Sequence, residues 1–445
     1  MKNIAKIALL MIVSIFTFIS CSSKVPEFNE EEIIEYARNQ VTEMRNGDYK
    51  SVADTFSFMV SIQVNEEKLK EIYEDTIDVL GEYIGEKSIT TEVVDKNIVC
   101  TIIEEYENSG LKITLTYNDK NKVVGIFFEY ESLDGDESNE VFDQVEFTVG
   151  EELKLDGILT LPKNVEKPPV VLLIQGSGQS DKNETIVLNT PFKDIAQGLA
   201  AEGIATLRYD KRYYTYLEEA QKLGDDLTLE DEVLEDVNYA IDALNKDERV
   251  GDIYILGHSL GGALAPAIAY ENEAVKGIIS MAGSLRPLYE ISYDQNKASE
   301  KALLEKGLEK KDEKELEMLM MEVEEHIELL RGDISDIPNK EVLLGLPAGY
   351  QKSVKEYAGM NFIDKVNVPM LILQGEEDFQ VYADVDYKLW EDTVGNRDNV
   401  TFKLYPKLNH LMMQTNGKKD VSEYDIKGTV EQIVIDDIAS FILNQ

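Results

Sequence analysis

Two spacings of hydrophobic residues divide the chain into an N-terminal and a C-terminal part. Between residues 31 and 84 apolar side chains recur at helical spacing, first from Ile33 to Met44 and again from Leu69 to Leu80, after an Asn65 suited to cap a helix. From Ser88 the spacing becomes that of strands, with apolar runs at 88–94, 97–106, 111–117 and 123–130. Helices followed by an antiparallel meander predict a small α+β domain, which we place at residues 26–131.

A polar, acidic, turn-rich linker at 132–140 precedes a different pattern. Residues 141–149 and 153–162 predict an antiparallel pair of strands. Short apolar runs then alternate with helical segments, and these runs are 170–175, 204–209, 253–256, 277–281, 370–374 and 400–404. Such runs predict a mostly parallel sheet covered by helices on both faces, in a domain at 140–445.

One connection in the second domain is far longer than an ordinary loop. About 80 residues separate the run at 277–281 from the run at 370–374, and residues 298–331 among them are helical and charged. We expect a helical cap at about 284–362. Several residues near its ends either line a substrate pocket or pack the cap onto the domain; they are Arg286, Tyr289, Tyr293, Gln295 and Tyr350.

Composition narrows the classes of partner. The 445 residues contain 44 Lys+Arg against 86 Asp+Glu, for a formal net charge of −42. This charge argues against nucleic acid as a partner, because phosphate binding needs clusters of basic residues. Two cysteines cannot form a disulfide framework, and Cys100, in an apolar strand-like run, is expected in a core.

The N-terminus has the features of an export signal. Two lysines precede the apolar run Ile7–Ile19, which is too short to cross a hydrocarbon layer of about 30 Å. The segment ends Ser20-Cys21 and resembles a bacterial lipoprotein signal. The resemblance implies a signal peptide at 1–20 and a lipid anchor on Cys21 at the cell envelope. The alternative is an ordinary secretory signal in which Cys21 is incidental.

The sharpest chemical signal is Gly257-His258-Ser259-Leu260-Gly261, after an apolar strand and before a helix rich in small residues. This context is that of a nucleophile elbow, in which glycines allow a tight turn around an exposed serine. A serine hydroxyl needs an adjacent base. The chain has three histidines: His258 belongs to the turn and is expected to point away from the serine, and His326 lies in a charged helix as a solvated residue. His410 remains as the candidate base.

The base in turn needs an acid that orients it. Asp378 follows the strand at 370–374 and lies between Ser259 and His410 in the chain, in the order Ser, Asp, His of hydrolases. Glu377 is the alternative acid. Asp384 and Asp386 are expected at the surface.

An oxyanion formed at the serine requires N–H donors that are already in place. We expect one from Leu260, directly after the nucleophile, and one from Ser177, in the loop Gln175-Gly176-Ser177-Gly178 after the first parallel strand. The alternative is that this loop only turns the chain. Residues 181–184 and 208–212 also lie at strand ends, where they shape a pocket or form ion pairs with each other.

Together these motifs make residues 140–445 similar to the α/β-hydrolase superfamily, near its serine esterases and serine aminopeptidase-like members. The segments that carry the resemblance include GHSLGG, MLILQGEEDFQV and TFKLYPKLNH. The N-terminal domain resembles the accessory domain of some secreted hydrolases, with an NTF2-like pattern. The resemblance implies an α/β-hydrolase fold with a helical cap and no metal or organic cofactor.

The favoured function is a serine hydrolase of the cell envelope, most simply a carboxylesterase acting on small or medium acyl esters. One alternative is a serine peptidase with the same triad, acting on a peptide-like substrate. A second is a binding protein on a non-catalytic hydrolase scaffold.

Overall fold

A computed structural model describes residues 26, 28–94, 96–133, 138–216, 219, 222–307 and 310–445. The expected signal peptide at 1–20, Cys21 and part of the linker at 132–140 lie outside the described residues. Among the helices that are described, none combines the length and the apolar character that crossing a bilayer requires.

The N-terminal domain consists of four helices followed by a four-stranded antiparallel sheet. The helices are Glu30–Arg45 (α1), Tyr49–Ala53 (α2), Phe58–Gln63 (α3) and Glu66–Ile77 (α4). The strands are Tyr83–Val94 (β1), Asn97–Tyr106 (β2), Gly110–Tyr117 (β3) and Val123–Glu131 (β4), and they pair in sequence order. The predicted α+β domain is thus confirmed, with two more helices than predicted and a first strand that begins earlier.

One face of this sheet packs against the helices. Alternate residues of β2 are buried, among them Ile98, Cys100 and Ile102, and they share a core with Ile33 and Met44 of α1. Asn65 caps α4 as predicted, because its side chain accepts a hydrogen bond of 2.9 Å from the amide of Lys68. Cys100 lies in this core, where burial raises its thiol pKa to about 11.

The second domain is built on an eight-stranded sheet. Its strands are Phe142–Val149 (β5), Leu155–Pro162 (β6), Val170–Ile174 (β7), Ala205–Tyr209 (β8), Ile253–His258 (β9), Val275–Met281 (β10), Met370–Gly375 (β13) and Val400–Tyr405 (β14). The order is β14-β13-β10-β9-β7-β8-β6-β5, and the six strands from β14 to β8 are parallel. Strand β6 pairs antiparallel with β5, as the sequence predicted, and it also pairs antiparallel with β8.

Both faces of the sheet are covered. In β7, Val170, Leu172 and Ile174 face one hydrophobic core, whereas Val171 and Leu173 face another. Helices Pro191–Ala201 (α5), Arg212–Thr215 (α6), Glu235–Lys246 (α7), Leu260–Glu271 (α8), Lys388–Val394 (α12) and Gln432–Leu443 (α13) surround it. A strand buried on both faces needs a continuous apolar sequence. This explains why the apolar runs predicted the strands of the sheet.

A helical insertion lies between β10 and β13. It contains Leu288–Lys306 (α9), Lys310–Arg331 (α10), a two-stranded ribbon of Val342–Leu343 (β11) and Leu346–Pro347 (β12), and Ala348–Glu356 (α11). Leu330 and Tyr350 join one of the two cores of the sheet, so the insertion packs directly on the domain.

The two domains share a hydrophobic contact. Leu188, in the loop before α5, belongs to the same core as the N-terminal helices and strands, and Val187 packs beside it. A polar contact lies nearby, because the hydroxyl of Tyr214 donates to the carboxylate of Glu131, and Lys112 lies over the Tyr214 ring. The two domains are therefore in direct contact, in addition to being joined by the linker.

Candidate active site

The predicted site residues gather at one edge of the large sheet. Ser259 follows β9, Asp378 follows β13, His410 follows β14, and the loop with Ser177 follows β7. The carboxyl ends of parallel strands meet at the same edge. The connection out of β7 runs to β8 on one side, whereas β9 lies on the other side. Such a switch point opens a crevice in which ligands bind in open α/β sheets.

Ser259 occupies a strained turn between β9 and α8. Its backbone angles are φ 53° and ψ −113°, a conformation that non-glycine residues rarely adopt. The turn is closely packed, because a Cβ on Gly257 would lie 2.1 Å from the carbonyl carbon of Gly261, and a Cβ on Gly261 would lie 2.3 Å from the carbonyl oxygen of Ile174. The flanking glycines are therefore required by space, as expected for a nucleophile elbow.

Asp378 and His410 form a buried pair. His410 Nδ1 lies 2.7 Å from Asp378 Oδ2, and both side chains are almost fully buried. The other Asp378 oxygen accepts hydrogen bonds from the amides of Gln380 and Val381, at 2.8 and 3.0 Å, and Gln374 donates to Oδ2 at 2.9 Å. These donors fix the carboxylate, and His410 Nε2 is left on the side of the ring away from it.

His258 lies beneath His410 rather than at the serine. The two ring centroids are 4.6 Å apart, and His258 Nε2 lies 3.0 Å from the backbone oxygen of His410. His258 Nδ1 lies 2.9 Å from Glu184 Oε2, and the two form an ion pair when the imidazole is protonated. Burial lowers the pKa of His258, but Glu184 and the carbonyl of His410 outweigh burial and raise it above 6.5.

The loop after β7 is held on both sides of Ser177. The Gly176 amide donates to Glu184 Oε1 at 2.7 Å, and the Gly178 amide donates to Glu232 Oε1 at 3.1 Å. A Cβ on Gly176 would lie 3.3 Å from the Cβ of Ser259, which places the loop against the elbow. The amides on both sides of Ser177 are thus already engaged, which leaves the Ser177 amide as the candidate donor to an oxyanion in this loop.

A second buried charge pair supports this loop. Lys211 Nζ donates to the Gly176 carbonyl at 2.9 Å and to Glu232 Oε1 at 2.7 Å. Tyr350, in α11 of the helical insertion, donates to Glu232 Oε2 at 2.6 Å. Burial alone would raise the pKa of Glu232, but Lys211 and the two hydrogen-bond donors hold it below its usual value. The insertion is thereby connected to the loop beside Ser259.

Asp386 and His326 have surroundings that differ from those predicted. Asp386 is fully buried rather than at the surface: Arg286 contacts both of its oxygens, and Ser284 donates to it at 2.6 Å. The sequence could not separate Asp386 from the exposed Asp384, because the two differ only in which face of a short helix they occupy. His326 is half-buried and accepts from the amide of Leu344, so it is not a simple solvated residue.

Of the residues near the ends of the insertion, Arg286 and Tyr350 are held by ion pairs and a hydrogen bond within the domain. Arg286 binds Asp386 and Asp294, and Tyr350 binds Glu232. Between the two strand-end segments, Lys182 pairs with Asp210, and Arg208 donates to Asn183 at 3.0 Å. These contacts support the prediction that the segments 181–184 and 208–212 bind each other.

Glu184 and Glu232 are the functional candidates that sequence reasoning missed. Glu232 lies in an acidic helical start with other Glu and Asp residues, and nothing in its spacing distinguishes it. Glu184 falls within the segment 181–184, but its partners Gly176 and His258 belong to other loops. Within the part of the chain that the structure describes, no group of three or more His, Cys, Asp or Glu side chains forms a candidate metal site.

Comparisons with known proteins agree with this architecture. Residues 190–416 match the family described as serine aminopeptidase, S33, and this range contains Ser259, Asp378 and His410. Residues 37–126 match a family described as protein of unknown function, DUF3887. The chain is 33% identical over 413 residues to esterase EstD of Thermotoga maritima, which covers 91% of this chain and 93% of that protein.

Among the solved structures that the chain matches is Est1E from Butyrivibrio proteoclasticus, at 22% identity and a TM-score of 0.43, covering 67% of this chain and 98% of that chain. The acylaminoacyl peptidase of Pyrococcus horikoshii has 13% identity and a TM-score of 0.44, covering 81% of this chain and 56% of that chain.

The family match lies within the domain that carries the elbow, and the alignment with the relative covers 91% of this chain. The predicted fold class and the prediction of a hydrolase, with ester hydrolysis favoured over peptide hydrolysis, are therefore confirmed. The chain belongs to the α/β-hydrolase superfamily, as a hydrolase of the esterase type with a small N-terminal domain.

Proposed function

We propose that the protein is a carboxylesterase that cleaves small or medium acyl esters through a Ser259–His410–Asp378 triad and an acyl-enzyme. The observation that carries this proposal is the buried pair of His410 and Asp378, joined at 2.7 Å beside the strained turn that presents Ser259. A turn of this strain persists only where its surroundings enforce it, and such turns cluster at active sites.

The chemistry follows from these positions. The Ser259 hydroxyl attacks the ester carbonyl while His410 Nε2 takes its proton, and Asp378 stabilises the imidazolium through Nδ1. The carbonyl oxygen, now negative, accepts hydrogen bonds from the amides of Leu260 and Ser177. The alcohol leaves with the proton from His410, and the acyl group stays on the serine. A water molecule then repeats the attack, which releases the acid and restores Ser259.

The test is hydrolysis of p-nitrophenyl esters of increasing acyl length by the wild type and by Ser259→Ala. We expect the variant to lose a factor on the order of 10⁶ in kcat, because Ser259 supplies the only hydroxyl of the turn Gly257–Gly261. Wild-type protein should also be labelled by a fluorophosphonate, and the variant should not. Ester hydrolysis that survives in Ser259→Ala, or a label on another residue, would contradict the proposal.

A peptidase with the same triad is the second candidate, because the matching family is described as serine aminopeptidase. Matched substrates that differ only in an ester or an amide bond distinguish the two. An esterase should cleave the ester far faster, and comparable kcat/KM values for the amide would favour the peptidase.

We also propose that the mature chain is anchored to the cell envelope by a lipid on Cys21. The lysines and the apolar run before Cys21 support this proposal. In a bacterial host the full chain should fractionate with membranes, whereas Cys21→Ala should be released or retained as an unprocessed precursor. Equal fractionation of the two, with no lipid-modified peptide in mass spectra, would reject the anchor.

A further inference from the structure

The loop at residues 181–189, here called the bracing loop, contacts the active site at one end and the N-terminal domain at the other. At the first end, Glu184 is 3% exposed, and each of its carboxylate oxygens lies close to a group of the active site. Oε1 accepts from the Gly176 amide at 2.7 Å, and Oε2 lies 2.9 Å from His258 Nδ1. Since His258 Nε2 in turn contacts the backbone oxygen of His410, Glu184 supports the loop of Ser177 and the loop of His410 at once.

At the second end, the bracing loop enters the core of the N-terminal domain. Leu188 is 7% exposed and belongs to the hydrophobic core formed by the N-terminal helices and sheet. Val187 packs against this core and also against a core of the large sheet. Three residues of backbone thus separate the carboxylate at the active site from side chains buried in the other domain.

The backbone of the bracing loop is strained in between. Glu184 has φ 52° and Val187 has φ 56°, and a β-branched residue rarely adopts this left-handed conformation. Such strain costs on the order of 1–3 kcal/mol per residue and persists only where surrounding contacts enforce it. Inside the loop, Asp181 binds the amide and hydroxyl of Thr185, and Ile186 and Asn189 exchange backbone hydrogen bonds. The two bonds between Ile186 and Asn189 close a tight turn around Val187 and Leu188, and the Asn189 side chain is held by Tyr424 and Gly428. The packing of Val187 and Leu188 against the N-terminal core adds a constraint from the other domain.

We propose that the N-terminal domain helps to position the active site, because its contact with Leu188 holds the bracing loop in the conformation in which Glu184 positions the oxyanion loop and the loop of His410. Glu184 is a positioning residue, and Leu188 acts through it. This inference rests on the proposed function of Ser259. It gives the N-terminal domain a role in turnover that does not require a ligand of its own.

The test uses the full chain and three variants: Leu188→Ala, Glu184→Gln and the matched control Ile98→Ala. Ile98 is also buried in the N-terminal core, at the end of the sheet opposite Glu131, which contacts Tyr214 of the second domain. Below their melting temperatures, Leu188→Ala and Glu184→Gln should each lower kcat on the order of tenfold or more with KM nearly unchanged. Ile98→Ala should keep wild-type kcat despite a similar loss of thermal stability.

A double variant shows whether the two residues act along one route. If Leu188 works through Glu184, the combined variant should lose no more kcat than Glu184→Gln alone, because coupled residues are not additive. Losses that multiply, or a Leu188→Ala enzyme with wild-type kcat, would overturn the proposal.

Hydrogen exchange supplies a readout that does not depend on catalysis. The Gly176 amide should exchange faster in Leu188→Ala and Glu184→Gln than in wild type and in Ile98→Ala. If Ser259→Ala leaves ester hydrolysis intact, the triad assignment fails while this exchange result still decides the inference. If ester hydrolysis depends on Ser259 but the Gly176 amide exchanges at the wild-type rate in Leu188→Ala, the inference about the bracing loop is wrong and the triad assignment is unaffected.

Discussion

At the scale of single residues, the site depends on side chains whose orientation is fixed by several partners. Asp378 accepts hydrogen bonds at both oxygens, so it presents Oδ2 to His410 in one geometry only. The neighbouring Glu377 pairs instead with Lys419 near the surface, where its side chain is partly exposed. The structure therefore gives these two adjacent acids very different surroundings.

Asp378→Asn should lower kcat by about 10⁴, because an asparagine at this position stabilises the wrong tautomer of His410 and cannot balance the imidazolium. Glu377→Gln is the matched control, since it removes a carboxylate next in the chain. It should keep near wild-type kcat and stability, because surface ion pairs contribute little. Steady-state kinetics on a p-nitrophenyl ester measure both; the opposite ranking of the two variants would make Glu377 the acid.

His258 should make stability depend on pH. Its pKa in the folded protein is raised above the value of 6.5, so it binds a proton more readily folded than unfolded. Its contribution to stability is then fully present below pH 6.5 and is lost as the pH rises through the raised pKa. The groups that face it are Glu184, Asp378 and the carbonyl of His410.

Thermal melts of wild type and His258→Gln between pH 5 and pH 9 measure this effect. The difference in melting temperature should be largest at the acidic end and shrink toward pH 9. A difference that grows with pH would mean that neutral His258 is the form that the fold prefers.

At the scale of elements, the elbow depends on close approach of backbone. Gly261→Ala should destabilise the protein by about 3 kcal/mol or more, because the added methyl meets the Ile174 carbonyl, which is fixed in β7. Gly85→Ala is the control, since a Cβ at Gly85 in β1 meets nothing within 4 Å. Urea unfolding should show a change within about 0.5 kcal/mol for this control, and equal losses in both variants would refute the steric argument.

Much of the fold could be predicted from the sequence, because the spacing of apolar residues matches the faces that are buried in the structure. The run at 170–174 is apolar throughout, because β7 is buried on both faces. Helices α2 and α3 were missed, because helices of five and six residues are too short to display a period.

Only some residues of the candidate site could be predicted from the sequence. The order of Ser259, Asp378 and His410 carries information along the chain, whereas the contacts of Glu184 and Glu232 exist only between loops that folding brings together. A buried acid in an acidic helix looks like a solvated one until its partners are placed. Sequence patterns therefore located the reacting groups but not the residues that hold them.

At the scale of the whole molecule, the net charge of −42 should itself oppose compactness. Repulsion among surface carboxylates is long-ranged at low salt, where the Debye length is about 30 Å at 0.01 M, and is screened at high salt. We expect the melting temperature to rise between 10 and 500 mM NaCl.

Substituting KCl for NaCl should give the same curve, because the effect is screening rather than binding of a particular ion. A melting temperature that falls with added salt would show that attractive pairs such as Arg331 with Glu290 outweigh the repulsion.

The burial of Cys100 has a practical consequence for measuring how the two domains move. Its thiol pKa of about 11 leaves almost no thiolate at neutral pH, and its side chain is fully enclosed, so alkylating dyes should pass it by. A soluble form that begins after Cys21 therefore needs no cysteine removed before labelling. One cysteine introduced on the surface of each domain would suffice for fluorescence distance measurements during turnover.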